Sequence, residues 1–118
     1  MNAEKTYNGW TNYETWNVKL WMDNDQGSYE YWREQAQEAY SRGYRINGPL
    51  GDSFTREEKA AYALAQQLKD EIEESAPDLG ASMFADLLGA ALSEVNWHEI
   101  ATSMIEDVLA DELASEED

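Results

Sequence analysis

The chain has 118 residues, of which 42% are hydrophobic, and its formal net charge is -17. A chain of this length folds as one domain that buries roughly two-thirds of its unfolded surface, so we expect a globular protein over residues 1–118. It contains no cysteine, which excludes a disulfide framework and a thiolate metal site. The sequence has no apolar signal segment and no apolar run long enough to span a membrane, so we expect a cytoplasmic protein.

The negative charge is concentrated in one part of the chain. Residues 1–69 carry all eight basic residues and ten acidic ones, whereas residues 70–118 carry fifteen acidic residues and no Lys or Arg. The electric field of this negative charge repels nucleic acid and anionic membranes and attracts basic surfaces, and both effects weaken as salt increases. The sequence therefore predicts a basic partner and no direct binding to nucleic acid or membranes.

Two helices are predicted first, joined as an antiparallel hairpin. The first begins near Asn12 with a capping box opened by Thr11, and the second is capped by Ser28 and runs to Gly43, with a turn at residues 23–27 between them. Helical spacing assigns an inward stripe to each helix, namely Tyr13, Trp16, Leu20 and Trp21 in the first and Tyr29, Trp32, Ala36 and Tyr40 in the second.

Residues 43–54 are predicted to form the longest loop, which is either functional or mobile and is the one place where a short hairpin could form. A second capping box at Thr55 and Glu58 opens the third helix, which ends before Pro77. Its inward residues are expected to be Tyr62, Ala65, Leu68 and Ile72.

The fourth helix, from about Gly80 to Glu94, is the most apolar, so it is predicted to be the centre of the core. Asn96, followed by Glu99 three residues later, is predicted to cap a fifth helix. The expected inward residues are Phe84, Leu87, Leu88, Ala91 and Leu92 in the fourth helix and Ile100, Met104, Ile105, Val108 and Leu109 in the fifth.

These five helices, with no internal repeat and no strand of alternating polarity, predict an all-α, single-domain bundle. We expect residues 1–9 and 113–118 to be flexible ends.

The sequence contains only weak indications of metal binding or catalysis. The turn at residues 23–27 followed by Glu34 approaches an EF-hand loop, but position 5 is Gly27, so one ligand is missing and the glycine comes a residue early. A helix connection is the preferred interpretation, and calcium binding stays a minor alternative. His98 is the only imidazole and has no supporting triad or metal motif, and no nucleotide-binding or hydrolase signature occurs. We therefore expect no enzymatic activity, no metal and no cofactor.

Aromatic residues are crowded into the first 44 residues, where one hairpin cannot bury all of them. Trp16, Trp21, Trp32 and Tyr40 are assigned to the core. Tyr7, Trp10, Tyr31 and Tyr44 are left as surface candidates, because Tyr and Trp are typical interface anchors. Such a surface could bind another protein or a second copy of the chain.

Eight acidic residues form the main candidate for a partner-binding face. Carboxylates three or four residues apart on a helix lie about 5–6 Å from each other at Cβ, and those at a helix C-terminus oppose the macrodipole. This costs stability, which favours a charge-based binding role over the alternative of a solubility face. The residues are Asp70, Glu71, Glu73 and Glu74 at the end of the third helix and Glu99, Glu106, Asp107 and Asp111 in the fifth.

The segments NYETWNVKLWMDND and AALSEVNWHEIA resemble a family of small uncharacterised proteins found in phages, plasmids and prokaryotic genomes. The resemblance covers most of the chain from Trp10 onward and implies a mobile-element origin, with no biochemical activity attached. In size, helicity and charge the chain is also similar to phage DNA-mimic inhibitors, which block restriction enzymes, CRISPR effectors or other DNA-binding proteins. That second likeness is one of class and not of motif.

Two functions follow as hypotheses. The first is inhibition of a host nucleic-acid-binding defence protein by carboxylates that mimic DNA phosphates. The second is a non-enzymatic interaction or assembly module that uses the aromatic N-terminal hairpin, with homodimerisation included.

Overall fold

The computed structural model describes residues 7–43 and 54–116, and within them the protein is all-α. The predicted all-α bundle is confirmed, and the one strand-like pairing among the described residues is an isolated bridge between Tyr7 and Trp10. Most of the predicted 43–54 loop, including Tyr44, lies outside the described residues. The helices in the described part of the chain are α1 Tyr13–Asn24, α2 Gln26–Arg42, α3 Arg56–Ser75, α4 Met83–Ser93 and α5 Trp97–Glu116.

Two of the predicted caps are confirmed. Thr55 and Glu58 form a reciprocal capping box at the start of α3. The Asn96 side chain accepts a hydrogen bond from the Glu99 N–H at 3.0 Å at the start of α5. In both cases a short polar side chain satisfies an amide that the first helical turn leaves without an intrahelical partner.

The caps of the first two helices are each displaced from the predicted residue. Asn12, and not Thr11, caps α1 by accepting from the Thr15 N–H at 2.9 Å. Asp25, and not Ser28, caps α2 by accepting from the Ser28 N–H at 2.8 Å. Asp25 is the single residue between the two helices, so the predicted turn at 23–27 is almost wholly helical.

The core is built mainly by α2, α3 and α5, which pack on one another. Leu64, Leu68 and Ile100 are inaccessible to solvent. Pairings between α2 and α3 run in opposite directions along the two helices, from Tyr31 with Glu71 to the Tyr40 carbonyl with Arg56, so these helices are antiparallel. The buried core residues also include Trp32, Ala36, Tyr40, Ala65, Trp97, Met104, Ile105 and Val108.

The predicted core position of α4 is wrong. None of its residues is buried, and Phe84 and Leu87 are 62% and 61% exposed. The helix contributes to the core only through Leu92, which is half-buried against it. Because α2, α3 and α5 already enclose the core, the apolar stripe of α4 has no inward surface left to cover.

The inward stripe predicted for α1 is wrong at two of its four residues, since Trp16 and Leu20 are half-buried but Tyr13 and Trp21 are not. Trp21 is 68% exposed, Tyr13 is exposed, and the buried residues of α1 are instead Thr15 and Met22. Val18 packs half-buried against the core. These three residues are spaced i, i+3 and i+7, a second helical stripe that lies beside the more aromatic one. Tyr29 in α2 and Tyr62 in α3, both predicted to face inward, are exposed as well.

Candidate interaction surfaces

The four acidic residues at the end of α3 differ in their surroundings. Glu71 accepts hydrogen bonds from the Tyr31 hydroxyl at 2.7 Å and from the Gln67 amide at 2.9 Å. Glu73 forms an ion pair with Lys69 at 3.1 Å. Asp70 and Glu74 are exposed, and neither has a hydrogen bond or ion pair among the described residues. Two of the four carboxylates are therefore bound within the fold, and two face solvent.

The hydrogen bond to Glu71 changes the chemistry of Tyr31. It raises the pKa of the Tyr31 phenol above its ordinary value, because the neutral hydroxyl donates to a carboxylate that would repel a phenolate. Tyr31 is exposed, as predicted for a surface aromatic, but its polar atom is already used within the protein.

The four acidic residues of α5 divide in the same way. Glu99 Oε1 accepts from the main-chain N–H of Thr11 at 3.1 Å, and Asp111 forms an ion pair with Arg33 of α2 at 2.9 Å. Glu106 and Asp107 are exposed and have no such bond among the described residues. They are adjacent in sequence, so their side chains leave the helix about 100° apart.

The α5 carboxylates line two different depressions. Glu106 and Glu99 border a shallow one together with Trp10 and His98. Asp107 and Asp111 stand at the mouth of a cavity of about 210 Å³ between α1, α2 and α5. The eight predicted residues thus occupy more than one surface, which a charge pattern along the sequence cannot reveal.

The cavity has an apolar floor and a charged mouth. Its floor includes Trp32, Met104 and Val108, all buried. At the mouth, Lys19 pairs with Asp23 at 2.7 Å, beside the pair between Arg33 and Asp111. The charges at the mouth are thus largely neutralised by one another.

The aromatic candidates are only partly available. Trp10 is half-buried against the core, and its main chain is paired with that of Tyr7. Tyr7 packs edge-on against Tyr13, with ring centroids 5.3 Å apart, so an edge-to-face aromatic contact holds the turn before α1. Trp21 is the most exposed of the aromatic residues that were predicted to face inward, and it lines a depression with Tyr31 and Glu71.

A second surface that the sequence analysis did not predict is the outer side of α4, where Met83, Phe84 and Leu87 are each more than 60% exposed. The sequence contains one signal for this outward position of α4. The seven-residue linker at 76–82 contains Pro77 and Gly80, which allow the next helix to leave the bundle.

The described residues contain neither a cluster of metal ligands nor a helix suited to span a membrane. Within residues 7–43 and 54–116, no group of three or more His, Asp or Glu side chains is arranged to hold a metal ion. Asp25 of the calcium-like segment caps α2, and hydrogen bonding to Ser28 lowers the pKa of its carboxyl. Over the same residues, no helix combines the length and apolar character needed to cross a membrane.

The fold and these surfaces define a small acidic helical protein whose exposed carboxylates and exposed apolar helix are separate features. The chain belongs to DUF7249, a family of unknown function, which matches residues 3–117. No curated protein and no solved structure matches the chain.

Proposed function

We propose that the protein is a non-enzymatic inhibitor, carried by a phage or plasmid, that acts in the host cytoplasm on a nucleic-acid-binding defence protein such as a CRISPR effector or a restriction enzyme. Its carboxylates take the positions of DNA phosphates in the basic groove of that protein. The observation that carries the proposal is that four of the eight predicted carboxylates, Asp70, Glu74, Glu106 and Asp107, are exposed and have no partner among the described residues, in a part of the chain that has no Lys or Arg.

The energetics support a binding role for these charges. Glu74 lies in the last turn of α3, which contains no basic residue, so its charge opposes the helix macrodipole. Asp70 and Glu74 are four residues apart, as are Asp107 and Asp111, so the carboxylates of each pair repel one another. Each such interaction costs a few tenths of a kcal/mol in an isolated helix. A basic groove would turn this repulsion into attraction and would release the counterions held on both surfaces, as happens when DNA binds.

The proposal is tested by DNA cleavage assays. Purified restriction endonucleases and CRISPR effector nucleases are incubated with the protein before DNA is added, at low and at moderate salt. We expect inhibition of at least one enzyme at low salt, with a steep loss as salt rises because the contacts are between charges. A panel that is uninhibited at low salt would contradict the proposal.

Charge-reversed variants locate the contact. Glu106→Lys with Asp107→Lys removes the two predicted carboxylates of α5 that have no partner among the described residues, and we expect it to abolish inhibition while the protein stays folded, since both residues are exposed. Glu30→Lys with Glu34→Lys on the exposed side of α2 is the matched control with the same change in net charge, and it should still inhibit. Equal loss in both variants would indicate that net charge, and not this surface, is responsible.

A second function is an interaction or assembly module centred on the aromatic hairpin. The exposure of Trp21 beside Tyr31 favours it, because large aromatic side chains at a depression are typical binding anchors. For this function Trp21→Ala or Tyr31→Ala would weaken partner binding, and salt would change it little. The two functions are therefore separated by the salt dependence of binding.

A further inference from the structure

The exposed side of α4 is the least expected feature of the molecule. Met83, Phe84 and Leu87 are 64%, 62% and 61% exposed, and Leu79 just before the helix is also exposed. Monomeric proteins rarely leave such a group of large apolar side chains in water, and contiguous patches of this kind mark interfaces. The inner side of α4 is formed by Ala85, Leu88 and Leu92, which are the half-buried residues of the helix.

The outer residues form one stripe at helical spacing. Met83, Leu87, Ala90 and Glu94 are spaced i, i+4, i+7 and i+11, and Phe84 and Ala91 lie beside them on the same side. The large side chains occupy the first half of the stripe, and the second half is formed by alanines. Leu87 lies near its centre.

We propose that this stripe binds a second copy of the chain, with the two α4 helices antiparallel across a two-fold axis at Leu87. In this register Met83 of one copy faces Ala91 of the other, Phe84 faces Ala90, and Leu87 faces its own equivalent. Large residues then meet small ones at both ends, which is the self-complementarity that an isologous interface requires. The inference is independent of the proposed inhibitory function.

The area of the stripe lies near the lower limit for a specific dimer interface. At their observed exposures, Met83, Phe84 and Leu87 of the stripe, together with Leu79 just before α4, offer on the order of 400 Å² on each copy, given roughly 150–250 Å² for an aromatic side chain and somewhat less for Met and Leu. Two copies therefore bury on the order of 800 Å² from these residues alone, and the alanines bring the total close to the roughly 1,000 Å² of a specific interface.

The charges within α4 are compatible with a second copy as the occupant. Asp86, the one charged residue within α4, lies on the flank of the stripe, so no carboxylate of one helix faces one of the other. In this register Glu94 lies opposite the N-terminus of the partner's α4 helix, where a negative charge interacts favourably with the helix macrodipole. The remaining acidic residues of the two copies repel across a distance, so salt should strengthen this association.

Sedimentation velocity over about a hundredfold range of protein concentration tests the dimer. We expect a monomer–dimer equilibrium in which raising the salt concentration increases the dimer fraction. Leu87→Asp should lower the association constant by about a hundredfold, because two carboxylates then meet on the axis. Leu113→Asp is the matched control, since Leu113 is 59% exposed and lies outside α4, and it should still dimerise.

Cysteine cross-linking tests the register, and the absence of native cysteine makes it unambiguous. On oxidation, Leu87→Cys should form a disulfide-linked dimer, and a mixture of Met83→Cys with Ala91→Cys should form the mixed dimer. Met83→Cys alone should link poorly. The proposal is overturned if the wild-type chain is monomeric at every concentration, if Leu87→Asp dimerises like the control, or if Met83→Cys alone links as well as the mixture.

Discussion

Two polar side chains, those of Asn12 and Thr15, join the beginning of α1 to the beginning of α5. Asn12, the cap of α1, donates from its side-chain amide to the Glu94 carbonyl at 2.7 Å. Thr15 is fully buried, donates its hydroxyl to Asn12 Oδ1 at 2.6 Å and accepts from the Asn96 N–H at 2.8 Å. Since Asn96 caps α5, one buried hydroxyl connects the caps of two helices that are about 80 residues apart in sequence.

The Thr15 hydroxyl should therefore be important for stability. Thr15→Val keeps the shape of the side chain but leaves the Asn96 N–H unsatisfied, so we expect a loss of about 1–3 kcal/mol in the free energy of unfolding. Thr15→Ser retains the hydroxyl and should cost less. Urea denaturation of the three proteins measures the difference, and equal stabilities of the valine and serine variants would show that the connection between the caps contributes little.

The pair of Tyr31 and Glu71 predicts a pH dependence at the alkaline end. Because the hydrogen bond raises the pKa of Tyr31 in the folded protein, its contribution to stability is present below the ordinary pKa of about 10.0 and is lost as the pH rises through the folded value. In a spectrophotometric titration we expect one tyrosine of the wild type to ionise late, and Tyr31→Phe should remove that step. The variant should also lose less stability than the wild type between neutral and strongly alkaline pH.

At the scale of the helix, apolar periodicity predicted that helices exist but did not always predict which side is buried. α1 contains two stripes, and the more aromatic one, with Trp21, is on the outside while Thr15 and Met22 face the core. α4 is apolar on most of its circumference, and the inward stripe assigned to it from sequence included Phe84 and Leu87, which are on the outside. Its position was decided by α2, α3 and α5, which complete the core without it.

The difference between α3 and α4 gives a direct test with matched substitutions. Leu68 of α3 is inaccessible to solvent, so Leu68→Ala should cost about 2–5 kcal/mol of unfolding free energy through the cavity it leaves. Leu87→Ala should change it by less than about 0.5 kcal/mol in dilute protein, because Leu87 is already largely in water. Chemical denaturation measures both. A large loss for Leu87→Ala at low concentration would place α4 in the core after all.

For the whole molecule, the net charge of -17 is a destabilising field. Self-repulsion of like charges opposes the compact state and is screened by salt, over a Debye length of about 8 Å at 0.15 M. Within the described residues, Arg33 of α2 forms an ion pair with Asp111 of α5, and Lys69 forms one with Glu73 at the end of α3. Four ion pairs, all between partly exposed side chains, join the described residues, and surface pairs of this kind contribute little to stability.

We therefore expect the protein to become more stable as salt increases from low ionic strength. The urea midpoint should rise with sodium chloride, and the rise should be smaller for Glu106→Lys with Asp107→Lys, which reduces the net charge. The comparison should use protein dilute enough to be monomeric, so that salt-dependent association does not contribute. A midpoint that is independent of salt would show that the acidic residues are too far apart to repel.

The sequence by itself determined the all-α class, the approximate helix boundaries and the caps of α3 and α5, because these depend on local spacing and on side chains within one turn of the backbone. It also determined the uneven charge, which depends on composition alone. Only the tertiary structure decided that Trp21 and α4 face outward, and that Glu71, Glu73, Glu99 and Asp111 are bound within the protein while Glu106 and Asp107 are not. These outcomes depend on which surfaces the other helices cover, and helical periodicity contains no information about that.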